Sequence, residues 1–254
     1  MTTAALDRRA PRRFVAAALG GALALAACAG DAQDPMPTVS APVDPGPLPE
    51  DHGLTTRQLD AVLASTVGIE GVACARLASG SGFALTDDLV VTTAHVILGI
   101  EEIRVYTTDG RELIGVPVSF DPDADLAILE VQGADLEPLP LAADADSSTA
   151  SIGVLIGWER DRPDPTPYRI DRRVTVRIDR VGGTERVERR SWLLAAEIDL
   201  GDSGAALVNS SGEVVGVAFA TSTATDQVGY AVRTSEVEDL VARGMDPNLT
   251  IPDC

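Results

Sequence analysis

The sequence predicts an all-β protein, and three observations carry the prediction. Apolar segments are short and rich in Val and Ile, as in Val67 to Ala75, Leu89 to Thr93 and Leu126 to Val131, which suits strands better than helices. Gly and Pro are plentiful, 23 and 16, as a chain with many turns requires. The chain of 254 residues, less its termini, leaves about 190 for one all-β domain, long enough to bury a sizeable core.

Taken in order, residues 1–27 read as a signal peptide. Arg8, Arg9, Arg12 and Arg13 form a positive head, and Phe14 to Ala27 is a 14-residue apolar stretch, short for a bilayer span but right for export. It ends in Leu25-Ala26-Ala27-Cys28, which resembles a bacterial lipobox and makes Cys28 the expected lipidation site. An ordinary secretory signal with Cys28 incidental is the alternative. Residues 28–54 carry six prolines among Ala, Asp and Ser, the composition of an extended linker that buries no core. Thr55-Thr56-Arg57-Gln58 spells a capping box, with Leu59, Val62 and Leu63 at helical spacing. A short helix over 56–65, lying on the first group of strands, is expected.

Strands are expected at 67–75, 82–85, 89–93, 103–106, 113–119 and 126–131, with Asp109-Gly110 turning a hairpin. The acidic, Pro-containing run 133–148 reads as a connection. A second group follows at 151–158, 168–180, 187–198, 205–208, 214–221 and 229–232. Ser235-x-x-Glu238, with Val237, Leu240, Val241 and then Gly244, spells a capped helix over 235–243.

Charge excludes one class of function. The formal net charge is −19, and all 20 basic residues are arginines. Removal of residues 1–27 would leave 16 positive against 38 negative charges. Such a chain is ill suited to neutralising phosphates, so nucleic acid is not an expected partner. Three cysteines and two histidines make a metal site improbable, and no cofactor is expected.

The chemistry converges on Leu200-Gly201-Asp202-Ser203-Gly204. A serine on a tight Gly-rich turn can be presented beside the N–H groups of Gly201 and Ser203, the layout of an oxyanion hole. His52 lies in a polar, Pro-rich stretch, whereas His95 closes the β-branched run Leu89 to Ala94. Asp125 directly precedes the apolar strand Leu126 to Val131; Asp121 and Asp123 lie in the acidic turn before it. The order His95, Asp125, Ser203 is a known chain order for a nucleophilic triad.

These residues resemble the trypsin-like serine peptidases, in the bacterial HtrA-like branch. The pieces that match are Gly80-Ser81-Gly82-Phe83, Thr93-Ala94-His95, Asp123-Ala124-Asp125-Leu126-Ala127, Gly201-Asp202-Ser203-Gly204 and Val214-Val215-Gly216-Val217, in the family's order and spacing. The resemblance implies two six-stranded antiparallel β-barrels, about 66–132 and 149–233, within a peptidase domain spanning 55–254. It implies a triad of His95, Asp125 and Ser203, an oxyanion hole at Gly201 and Ser203, and protein or peptide substrates. It also places Glu197 at the base of the specificity pocket, where an acid would favour a basic side chain, with Phe219 and Thr221 on the walls. A structural role for Glu197 along its strand is the alternative. Two departures stand out: Ala205-Ala206 follows Gly204 where Gly-Pro is usual, and Asp202 stands where HtrA-like enzymes commonly have Asn. In an exported chain Cys74 and Cys254 can pair, an arrangement similar to that of actinobacterial acid-resistance periplasmic proteases; two free thiols are the alternative. The expectation is therefore a serine endopeptidase held at the membrane by an N-terminal lipid. A catalytically silent binding module on the same fold is the competing class, and an esterase a more distant one.

Overall fold

In the computed structural model, residues 38–39, 44–144, 147–148 and 150–253 are described. The signal segment, Cys28 and Cys254 fall outside them. Strand β1, Thr38–Val39, is followed by helix α1, Thr56–Ser65. Then come β2 Thr66–Ala73, β3 Arg76–Ala84 and β4 Leu89–Thr92, helix α2 Ala94–Ile97, and β5 Ile103–Thr107, β6 Glu112–Asp121 and β7 Leu126–Glu130. Strands β2-β3-β4-β7-β6-β5 close into a barrel.

The second group comprises β8 Ile152–Glu159, β9 Arg162–Asp179, β10 Arg186–Ala195, β11 Ala206–Asn209, β12 Val214–Ser222 and β13 Val228–Arg233, followed by helix α3, Thr234–Ala242. The order β12-β11-β8-β9-β10-β13, with β12 also paired to β13, makes a second antiparallel ring. The expected all-β architecture of two six-stranded antiparallel barrels, with a short helix at each end, is what the chain forms. β1 adds to β12 in parallel, Thr38 opposite Thr221 and Val39 opposite Ser222, so part of the expected linker is paired.

Burial follows the period-2 rule of strands. Along β7, Ala127 and Leu129 enter the first barrel's core with Val67, Ile69 and Val105. Leu126 and Ile128 face the other way, into a cluster shared with Val154, Ile156, Leu193 and Phe219 of the second barrel. A third cluster around Tyr168, Trp192 and Leu207 fills the second barrel. This shared layer carries the loops that meet at the site.

Several local expectations are corrected. Cys74 leaves its strand: with Ala75 it forms the β2–β3 turn, both at positive φ (49° and 62°), the geometry of a two-residue primed hairpin. Cys74 is disulfide-bonded, and Cys254 lies outside the described residues. Strand β9 begins six residues earlier than expected, because Arg160-Asp161 turn tightly and Pro163, Pro165 and Pro167 occupy alternate positions. That spacing puts every missing N–H on one side of the strand, where β10 has not yet begun to pair. Helix α1 keeps its capping box, with Thr55 N–H donating to Gln58 Oε1 at 2.9 Å. It rests, however, on the shared cluster through Val62, and Gln58 reaches Ser210 of the second barrel. The capping box expected for α3 does not form. Arg233 is its N-cap, and the Ser235 hydroxyl donates to Asp144 Oδ2 at 3.0 Å instead.

Candidate active site

Each candidate side chain sits in a connection between two strands. His95 was expected at a strand terminus; β4 instead stops at Thr92, and His95 is the second residue of the single turn of α2. Asp125 lies in the β6–β7 connection at φ 59°, a left-handed conformation that Asp tolerates better than most residues. It is fully buried. Ser203 projects from the β10–β11 connection and is 4% exposed.

The three meet at hydrogen-bond distance. His95 Nε2 lies 2.8 Å from Ser203 Oγ, and His95 Nδ1 lies 2.9 Å from Asp125 Oδ2. The His95 backbone N–H donates to Asp125 Oδ1 at 2.9 Å, so one carboxylate fixes both ring and main chain. Burial pushes the Asp125 carboxyl upward, but the contacts with His95 and the nearby Arg189 outweigh it and hold the group below its ordinary range. Asp121 serves a different purpose: it accepts from the N–H groups of Asp123 and Ala124 and shapes the turn.

The serine loop is held by backbone chemistry. Gly201 has φ 103° and Gly204 φ 89°. A Cβ on Gly204 would fall 2.0 Å from the Ser81 carbonyl oxygen, so only glycine fits. The N–H groups of Asp202, Gly204 and Ala205 are used by the carbonyls of Asp199, Ala218 and Asp202. Those of Gly201 and Ser203 have no acceptor among the described residues. Ala205 is absent from the positive-φ residues and is fully buried, so the missing glycine there leaves the turn unstrained.

Two residues at the site were not singled out as functional by sequence. Ser81 Oγ donates to the Gly201 carbonyl at 2.6 Å and accepts from Trp158 N–H at 2.7 Å, and Ser81 N–H donates to the Ser203 carbonyl at 2.8 Å. One first-barrel residue thus pins the second-barrel loop; the Gly80-Ser81-Gly82 motif was its only trace. Arg189, buried on β10, approaches Asp125 Oδ2 at 3.5 Å.

Among the described residues, Asp202 has no cationic partner. Its Oδ2 accepts from Asp199 N–H at 2.8 Å, and its carboxyl occupies space that a Cβ on Gly157 would fill. Burial pushes it up to about 7, and the charges of Asp199, Asp164 and Glu159 act in the same direction.

The expected pocket residues are not brought together by their side chains. Glu197 lies past the end of β10, is exposed and accepts from Gln227 Nε2 at 3.2 Å. Phe219 was expected on a pocket wall; its ring is fully buried, with the Arg189 guanidinium 4.8 Å from its centroid, and is not offered to a pocket. Thr221 is half-buried and donates to the Val228 carbonyl at 3.1 Å.

Comparison with known proteins agrees with this geometry. The trypsin-like peptidase domain family matches residues 80–217, more than half the chain. Serine protease Rv3671c of Mycobacterium tuberculosis is 31% identical over 207 residues, covering 80% of this chain and 51% of the relative. The mitochondrial serine protease HTRA2 of Bos taurus is 31% identical over 183 residues, covering 68% and 37%. The chain thus spans about half or less of the length of these relatives. Among solved structures, the active form of the Rv3671c protease superposes with a TM-score of 0.70 at 28% identity, covering 85% of this chain and 97% of that one. Its inactive form gives 0.64 at 30% identity, covering 74% and 92%. With the double-barrel topology, the serine loop and the family match in agreement, the chain belongs to the trypsin-like peptidase domain family, on its HtrA-like branch.

Proposed function

We propose that this chain is a serine endopeptidase that hydrolyses peptide bonds through an acyl-enzyme on Ser203. The observation that carries the proposal is the double contact of His95, Nε2 on Ser203 at 2.8 Å and Nδ1 on Asp125 at 2.9 Å. Ser203 Oγ attacks the scissile carbonyl carbon while His95 Nε2 takes its proton. Asp125 holds the imidazole in the tautomer that leaves Nε2 free to accept. The free N–H groups of Gly201 and Ser203 receive the oxyanion, each donor worth roughly 3–4 kcal/mol in measured cases. His95 then protonates the leaving amine, and a water molecule repeats the sequence on the acyl-enzyme.

Location is part of the same proposal. The lipobox-like Leu-Ala-Ala-Cys supports lipidation at Cys28 after export, with residues 28–54 as tether and the peptidase domain facing the periplasm or cell wall. Pairing of Cys74 with Cys254 suits that oxidising compartment and would tie the chain's end to the first barrel.

The test is labelling of the purified mature protein with a fluorophosphonate, with Ser203→Ala alongside. Labelling of the wild type and none of the variant is expected. Absence of labelling in both would move the assignment to a binding module on the same fold.

A further inference from the structure

Strand β10 alternates exposed and buried residues, with Glu188 and Arg190 exposed on either side of Arg189. The inward position, which the pattern would give to an apolar side chain, holds an arginine whose side chain is 1% exposed. A buried cation is costly unless something holds it there. Its Nε donates to the Asp123 carbonyl at 3.0 Å, its guanidinium lies 4.8 Å from the Phe219 ring centroid, and Nη1 faces Asp125 Oδ2 at 3.5 Å. Nη2 has no partner among the described residues. Asp121, Asp123 and Glu236 also contribute negative charge around it. Each of these has its own arginine, Arg243, Arg180 and Arg190 respectively. Among the described residues, Asp125 meets no arginine other than Arg189.

We propose that Arg189 is a positioning residue for the Ser203–His95–Asp125 site: a second-barrel cation that fixes the Asp125 carboxylate and sets the acid edge of the activity. The proposal rests on the peptidase reading above. Its physical basis is that Asp125 has two charged neighbours that share one carboxylate. When His95 takes the Ser203 proton, the imidazolium is attracted by Asp125 and repelled by Arg189 across a buried, weakly screened gap. Removing the guanidinium removes the repulsion, and it also leaves Asp125 easier to protonate. Both effects shut the site down at a higher pH on the acid side. The guanidinium also links the barrels, since it projects from β10 to the β6–β7 connection that carries Asp125.

The experiment measures the second-order rate of fluorophosphonate labelling against pH for the full mature protein, Arg189→Gln and Arg189→Lys, with circular dichroism checking the fold. For Arg189→Gln the optimum rate should fall about tenfold and the acid limb should move up by about one pH unit. Arg189→Lys keeps the charge but not the planar fork, so its limb should stay near the wild type's while the rate falls. Coincident acid limbs for a labelling wild type and a folded Arg189→Gln would overturn the positioning role and leave the peptidase reading standing. Should Arg189→Gln not fold, Arg189→Lys decides: a reduced rate with the limb in place supports the role, and an unchanged rate overturns it. A wild type that does not label removes the peptidase reading and this role with it.

Discussion

At the residue scale, Asp202 offers the plainest pH prediction. Its carboxyl is shifted up to about 7, mainly by burial, so the folded state binds a proton between about pH 4 and 7 that the unfolded chain has released. Stability therefore falls as pH rises through that window, by about 4 kcal/mol at most. Asp202→Asn removes the penalty while keeping an oxygen for the Asp199 N–H. Thermal unfolding should show the variant more stable than the wild type at pH 8 and equal to it at pH 4. Equal midpoints at pH 8 would mean that the carboxylate is better solvated than its position implies. Sequence singled out Asp202 as a departure from Asn but carried no trace of its burial, because the depth comes from Gly157, 45 positions earlier in the chain.

At the scale of elements, a loop or helix end is legible when its hydrogen bonds are local. The α1 box closes within four residues, Thr55 to Gln58, and the structure forms it as the sequence spells it. Thr55→Ala should cost about 1 kcal/mol, read as a lower urea midpoint with an unchanged slope. Ser235-x-x-Glu238 has the same local spelling, yet Asp144 offers Ser235 a partner and the box is lost. Tertiary contacts override local propensity wherever a distant acceptor is closer than the local one. The β9 boundary was missed for a different reason: prolines read as strand breakers, and only pairing showed that all three lie in register on the unpaired side.

At the scale of the whole molecule, the two barrels share their packing. Phe83, Val91, Leu126 and Ile128 of the first lie in one cluster with Val154, Ile156, Leu193 and Phe219 of the second. Leu126 is the neighbour of Asp125, so the shared layer also supports the acid of the site. The barrels should therefore unfold together: calorimetry is expected to give one transition whose calorimetric and van 't Hoff enthalpies agree. Two resolved transitions would show that the cluster couples the barrels weakly.

The sequence by itself determined the all-β class and pointed to the three residues that meet at the site, while the two-barrel arrangement came with the family resemblance. Strand periodicity, turn chemistry and motif spacing are local properties, and the family match spans residues 80–217, which hold all three. Only the tertiary structure decided which side chains support those three. Ser81 and Arg189 lie 122 and 14 positions from Ser203 and look like an ordinary strand serine and one arginine among many. Their roles arise when β3 and β10 bring them under the serine loop and Asp125. The surroundings of Glu197 and Phe219 were set in the same way: Glu197 is exposed and meets Gln227, and Phe219 is buried beneath a guanidinium, because burial is settled by what packs against a segment and not by its own residues.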